Sequence, residues 1–229
     1  MAYTLSLYRQ EVQYKGRWST TSPFTVNEQN VIIDAKIKEF VTKTRCNKMY
    51  LIFSLASGTA NGVKEYDLFG DTPTITRVDV EGENYYKISD CGRVLKVERW
   101  LSSGDGQWTE LDLADSFMID KYGLLTGTAQ RPTHYSMSGH DSIRILPDLN
   151  TSAYTIKFKV TYYKQVADMI ADYTDPDASG NDATVPTIPT RYQFAVVPGI
   201  LSEMCASIGN DRYAVYEQQY QDNMNFVRL

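Results

Sequence analysis

Cysteine and histidine are both scarce, three and two among 229 residues. Cys46, Cys91 and Cys205 are odd in number and far apart. They offer neither a disulfide framework nor the paired spacing of a zinc site, and they suit a reducing compartment. Basic residues are in deficit, 23 Lys+Arg against 28 Asp+Glu, for a net charge of −5. Nonspecific grip on nucleic acid needs a basic domain or stripe, so the overall balance argues against that role. Long apolar runs are missing too. The fullest, around Tyr50–Ala56 and Phe194–Leu201, fall well short of the roughly 20 residues of a membrane span. Arg9 and Glu11 stand where a signal peptide carries its apolar run. These absences lead to the expectation of a soluble, intracellularly made protein without a membrane partner.

What is present is ordinary globular usage, 42% hydrophobic and 22% charged. The length fits one large domain or two small ones and leaves room for a core without metals or disulfides. Tyrosine is abundant, 17 against 8 Phe and 3 Trp. Its apolar face and polar tip suit a surface that is wet at one time and covered at another. β-sheet preference for aromatics is the plainer explanation, and the two are compatible.

Leu5, Tyr8 and Val12 predict a short helix within Tyr3–Tyr14. After Ser22-Pro23, the sequence Thr25-Val26-Asn27-Glu28 has the form of a capping box, in which hydroxyl and carboxylate each satisfy a free backbone N–H. Ile33, Ile37, Phe40, Val41 and Thr44 follow at helical spacing, which predicts a helix over Val26–Arg45. From Met49 to Lys164 the period changes to two, with short strands between Gly82, Gly92, Gly104-Asp105-Gly106 and Gly139 as turn signals. Tyr154, Ile156, Phe158, Val160 and Tyr162 make the clearest strand face. Residues 166–187 read as an acidic loop. Pro189 opens a closing helical stretch, with a kink or split at Pro198-Gly199 and a break at Gly209-Asn210. The expected fold is α+β. A helical layer comes from the N- and C-terminal segments (1–48 and 188–229), packed together around an inserted antiparallel β-sandwich or barrel-like domain (49–165).

Catalytic and metal chemistry was sought at each polar motif. Asp175-Pro176-Asp177-Ala178-Ser179-Gly180 matches the opening of a calcium loop, but the twelfth position is Pro186 where a bidentate Glu belongs. A solvated loop is the preferred reading. His134 and His140 lack zinc-ligand spacing. Tyr135-Ser136-Met137-Ser138-Gly139 lacks the first Gly of a nucleophile elbow, so a hydrolase built on His140 and Asp141 gives way to a polar turn. Asp67, Asp71, Asp112, Asp115 and Asp120 supply carboxylates, but nothing marks a pair as special. No cofactor, metal or catalytic residue is expected. Residues 1–48 carry a modest surplus of basic side chains, read as a solvated face.

One resemblance covers nearly the whole chain. Its carriers are the capped helix with Ile33-Asp34-Ala35, then Glu65-Tyr66-Asp67-Leu68, and Arg131-Pro132-Thr133-His134-Tyr135. Ile143-Arg144-Ile145-Leu146-Pro147-Asp148, Val160-Thr161-Tyr162-Tyr163-Lys164, Val185-Pro186-Thr187-Ile188-Pro189 and the closing Tyr213, Tyr216 and Tyr220 follow in order. The pattern resembles the head-to-tail adaptor (connector) proteins of tailed bacteriophages. It departs at Gln130-Arg131-Pro132, where Gly-x-Pro is usual, and in a longer stretch from Glu81 to Gly127. The resemblance implies a non-enzymatic virion protein at the head–tail junction, assembled in the host cytoplasm. It further implies a twelvefold ring of copies under the portal, contacts with portal and tail proteins, and passage of double-stranded DNA during genome ejection. The alternative from another class is a Tyr-rich β-domain that binds or cleaves host surface polysaccharide.

Two sets of site residues are expected on this basis. Tyr213, Tyr216, Tyr220 and Met224 form one helical stripe that Phe226, Val227 and Leu229 extend, and this apolar strip is the expected portal contact, with packing on the Arg191–Ser207 helix as ordinary core the equal alternative. Asp168, Asp172, Asp175, Asp177 and Asp182 lie in a segment without Lys or Arg, and they are the expected channel wall or rim, an outward-facing loop being the equal alternative. A continuous basic wall would hold phosphate too tightly for transit.

Overall fold

A computed structural model describes residues 2–18, 22–56, 59–63, 75–80, 83–101, 107–115, 131–147, 156–170, 181 and 183–228. The chain divides into two units, Met1–Asn47 with Val166–Leu229, and Lys48–Gln165. Helices and sheets are both present, so the class is α+β.

The first unit is helical. α1 (Leu5–Gly16) is capped by Thr4, whose side chain accepts from the Leu7 N–H, and it closes on Arg17 in the left-handed region at φ 52°. α2 (Val26–Thr44) begins with the full capping box between Thr25 and Glu28. The Thr25 N–H donates to the Glu28 carboxylate at 2.8 Å, and these bonds lower the Glu28 pKa. A 3₁₀ helix (Thr190–Val196) leads into α3 (Val197–Ser207). The predicted split at Pro198 takes this form, because the proline sits in the first turn of α3 where no N–H is required. Gly209, at φ 66°, breaks the chain, and Asn210 Oδ1 accepts from the Arg212 N–H before α4 (Tyr213–Arg228). The apolar stripes of all four helices meet in one core, including Leu5, Tyr8, Ile33, Phe40, Ile200, Met204, Tyr220 and Met224. Polar anchors position it. The Tyr8 hydroxyl donates to the Gln193 carbonyl at 2.8 Å, and burial raises its pKa well above the usual range. Asp34 accepts from the Met169 N–H at 2.7 Å and pairs with Lys38.

Among its described residues the second unit holds ten strands: β1 (Lys48–Ala56), β2 (Thr59–Val63), β3 (Ile75–Val80), β4 (Glu83–Ile88), β5 (Cys91–Leu101), β6 (Thr109–Glu110), β7 (Asp112–Leu113), β8 (His134–Ser138), β9 (Ser142–Leu146) and β10 (Ile156–Lys164). They form two sheets, ordered β2-β1-β10-β5-β6 and β3-β4-β9-β8-β7. Pairing is antiparallel except for β7 with β8. One hydrophobic cluster draws on both sheets, with Leu51, Phe53, Val97, Phe158 and Val160 from the first and Ile88, Tyr135, Ile143 and Ile145 from the second. The alternation of β10 holds over Ile156, Phe158, Val160 and Tyr162, all buried. Tyr154 lies outside the described residues.

Two local expectations need correction. Gly92 lies inside β5, and the turn before it is Ser89-Asp90. A Cβ at Gly92 would stand 3.2 Å from the Gln165 backbone, so this glycine permits close approach of two chain segments. Tyr135–Ser138 is strand, not polar turn. The turn follows at Gly139 (φ 70°), where β8 folds back on β9 with Met137 opposite Ile143. Cross-strand burial of Tyr135 and Ile145 outweighs the polar character of the two serines.

Candidate partner interface

The tyrosine stripe of α4 does not stay on one surface. Tyr220 and Met224 are buried, which corrects their expected exposure as partner contacts. The reason is local. Gly199 on α3 has no side chain, and the Tyr220 ring fills that space, with the Phe40 ring 6.1 Å away on α2. The Tyr220 hydroxyl donates to the Lys36 carbonyl at 3.4 Å. Burial, with Glu39 and Glu217 nearby, raises its pKa, so the phenol stays protonated. α4 is tied down elsewhere as well. Asn223 donates to the Ala195 carbonyl at 3.1 Å, and Arg228 Nε donates to the Lys43 carbonyl at 2.9 Å.

The rest of the stripe is open. Tyr213 is 49% exposed and Phe226 69% exposed. Tyr216 and Val227 are half-buried and pack against the core from outside. Leu229 lies outside the described residues. Two exposed residues were absent from the sequence reading: Val215, off the stripe by one position, and Tyr14, 82% exposed at the end of α1. The basic residues around Tyr14, Lys15 and Arg17, were a legible signal for that end of the helix.

Tyr14, Lys15 and Arg17 from the end of α1 face Arg212, Val215, Tyr216 and Gln219 from the start of α4 across an open groove of about 730 Å³. The Tyr216 hydroxyl donates to the Lys15 carbonyl at 3.1 Å and fixes the two helices at the groove floor. A second, shallower pocket of about 400 Å³ lies between Phe24, Val31 and Ile32 near α2 and Ser207 of α3.

Of the acidic set, Asp168 is described, and it pairs with Lys38, the same lysine that holds Asp34. Asp172, Asp175, Asp177 and Asp182 lie outside the described residues, as does the calcium-like stretch Asp175–Gly180. Lys36 pairs with Glu39 on its own helix at 2.9 Å and bridges to Glu203 of α3 at 3.2 Å. Burial alone would lower its pKa, but the two carboxylates outweigh burial and raise it.

The chemistry-bearing residues of the sheet unit are scattered. His134 Nδ1 lies 2.8 Å from Thr133 Oγ1, and Asp141 accepts from Ser142 Oγ at 2.9 Å and faces Lys87 at 3.4 Å. Ser136 is buried inside β8, not raised at a strand-to-helix turn. Burial raises the pKa of all three cysteines, that of Cys91 to about 12 with Asp90 and Asp141 adding to it. Their thiols are therefore protonated. Among the described residues, no group of three or more His, Cys, Asp and Glu side chains is placed to hold a metal ion. None of the described helices is long and apolar enough to cross a membrane. On the outer face of the first sheet, Lys159 and Lys96 grip Glu98 at 2.8 and 3.1 Å. The ammonium groups of Lys157 and Lys159 cap the Trp100 and Trp108 rings at 5.2 and 5.0 Å.

The α4 helix is thus half core and half surface, beside a cationic groove. The family model of the SU10 adaptor protein matches residues 56–227, and the chain belongs to that family, one of phage head-tail adaptors. No curated protein matches the chain.

Proposed function

We propose that this structural protein forms a ring under the portal of a tailed phage, extends the DNA channel and joins head to tail. The observation that carries the reading is the family match, which spans the sheet unit from Ala56 and most of the closing helices. In this reading the two sheets form a β-sandwich and the helical unit is a layer. Copies of the chain close a twelvefold ring between portal and tail proteins. The virion's head–tail junction is its final location, after assembly in the host cytoplasm, and DNA passes through the ring at genome ejection. The portal contact falls to the open part of the α4 stripe, Tyr213, Tyr216, Phe226 and Val227, continued by Leu229. Tyr220 and Met224 hold that helix in place from below. Asp168, Asp172, Asp175, Asp177 and Asp182 line the channel or its rim, where negative charge keeps phosphate moving.

The test is the mass of particles formed with purified portal rings. Wild-type protein should add a ring of copies, and Phe226→Asp with Tyr213→Ser should abolish docking while the far-UV circular dichroism stays unchanged. Undiminished docking by this variant moves the contact off α4. A wild-type protein that ignores portal altogether overturns the reading. Polysaccharide binding gains no support from Trp100 and Trp108 of the sheet unit, because a lysine already sits over each ring.

A further inference from the structure

We propose that the groove between the end of α1 and the start of α4 seats an acidic segment of a partner protein, one that carries an apolar anchor among its carboxylates. The inference rests on the adaptor reading above, which supplies the partner, and it names the chemistry that meets this face. The groove collects three exposed cations, Lys15, Arg17 and Arg212. Lys15 meets Glu11 at 3.4 Å, whereas Arg17 and Arg212 meet no carboxylate among the described residues. Arg17 is the more telling of the two. It ends α1 in the left-handed region at φ 52°, a conformation that glycine adopts freely and a residue with a Cβ adopts under strain. Arg45 ends α2 in the same conformation, but its side chain or backbone is engaged within the chain. The strain at Arg17 holds a guanidinium at the groove with no carboxylate partner of its own.

The walls are apolar. Tyr14 and Val215 are 82% and 60% exposed, and Tyr216, held by its hydroxyl on the Lys15 carbonyl, forms the floor. Gln219 adds an amide that can donate to and accept from a peptide main chain. A volume of about 730 Å³ is ample for a few side chains. This combination fits carboxylates, which a guanidinium grips through paired N–H donors, with an apolar side chain lying between them. Nucleic acid fits less well. A phosphate backbone draws its affinity from many cations along a stripe, whereas three cations share one groove here, on a chain of net charge −5. A phosphate backbone would also leave Tyr14 and Val215 uncovered.

The test is fluorescence anisotropy of the full chain with a labelled synthetic peptide, Glu-Asp-Glu-Trp-Asp-Glu-Leu-Asp. The peptide should bind wild-type protein, and more weakly as salt rises. Arg17→Glu with Arg212→Glu should weaken binding by about tenfold or more. A peptide with Lys in place of every acid should bind the reversed protein better than it binds wild type, which separates lost charge from lost fold. Ser in place of the peptide's Trp and Leu should weaken binding to wild type as well. No binding to wild type, equal affinity for the two proteins, or undiminished binding of the serine peptide overturns the proposal. Tighter binding of a DNA oligonucleotide at the same two arginines overturns it in favour of nucleic acid. The mass assay with portal rings reads the adaptor function separately. Docking by a wild-type protein that binds no acidic peptide removes this seat and leaves the ring reading standing. Peptide binding without docking removes the ring reading and leaves the seat.

Discussion

Gly199 of α3 lies directly against the Tyr220 ring of α4, and Gly199→Ala probes that contact. An ideal Cβ there lies 2.7 Å from Tyr220 Cδ2 and Cε2 and 2.9 Å from Cγ, against an ordinary contact of 3.4–4 Å. The ring would have to retreat by about 0.7 Å, enough to forfeit a large part of its dispersion contacts. It has little room, with Phe40 on one side, the Lys36 ammonium 5.8 Å from its centroid, and its hydroxyl tied to the Lys36 carbonyl. Overpacking of this kind costs about 1–3 kcal/mol. Alanine offsets up to about 1 kcal/mol of that by favouring helix over glycine. The expected net loss is up to about 2 kcal/mol, read as a lower urea midpoint of the helical signal at 222 nm. In a Tyr220→Leu background the ring is gone, and the same Gly199→Ala change should be neutral or stabilising. The coupling between the two sites should then be about 1–3 kcal/mol. Stability clearly above wild type for the single Gly199→Ala variant, or no coupling in the double variant, refutes the packing argument.

Phe40→Ala should cost about 3–5 kcal/mol in the same titration, since the ring is fully buried against Tyr220; a loss under about 1 kcal/mol contradicts its place in the core. Acid should weaken both units. Burial raises the pKa of Glu39, but Lys43 and Lys36 outweigh it and hold it below its ordinary value of 4.5; Lys159 and Lys96 do the same for Glu98. A carboxylate with a depressed folded pKa stabilises fully above its unfolded value, and that contribution is lost as pH falls through the folded value. Stability should therefore decline below about pH 4.5, and less steeply in Glu39→Gln; an identical slope in that variant removes Glu39 from the account.

The sequence made the local rules visible and hid those set by contact. Thr25 and Glu28 announced the start of α2 because a capping box is a purely local exchange of hydrogen bonds. The alternation in β10 was equally legible, since period two is a property of the strand itself. Gly92 and Tyr135–Ser138 misled for the opposite reason. A glycine that admits a neighbouring backbone looks like a turn glycine, and a strand containing serines looks like a turn, until their partners are known. At the interface, the i, i+3, i+7 pattern found the α4 stripe but not its division. Which residues sink depends on Gly199, fourteen positions before Tyr213, and no periodicity within α4 reports that. The groove was less legible still, because Tyr14 and Arg212 are brought together only by the tertiary packing of the helical unit.

The helical unit is built from the two ends of the chain, whereas the sheet unit draws its cluster from Met49 to Tyr162 alone. On the ribosome this imposes an order. The sheet unit has all its core residues once Lys164 has emerged, but α1 and α2 must wait for α3, which ends at Ser207. About 160 residues separate Asn47 from that point, or about 8–32 s of synthesis at ordinary bacterial rates. Throughout that interval Leu5, Tyr8, Ile33, Ile37 and Phe40 have no permanent cover. Newly made chains are therefore most exposed to aggregation and to chaperone capture at their first two helices. A chain cut short between Ser207 and Tyr213 would carry a finished sheet unit and a helical unit that lacks α4.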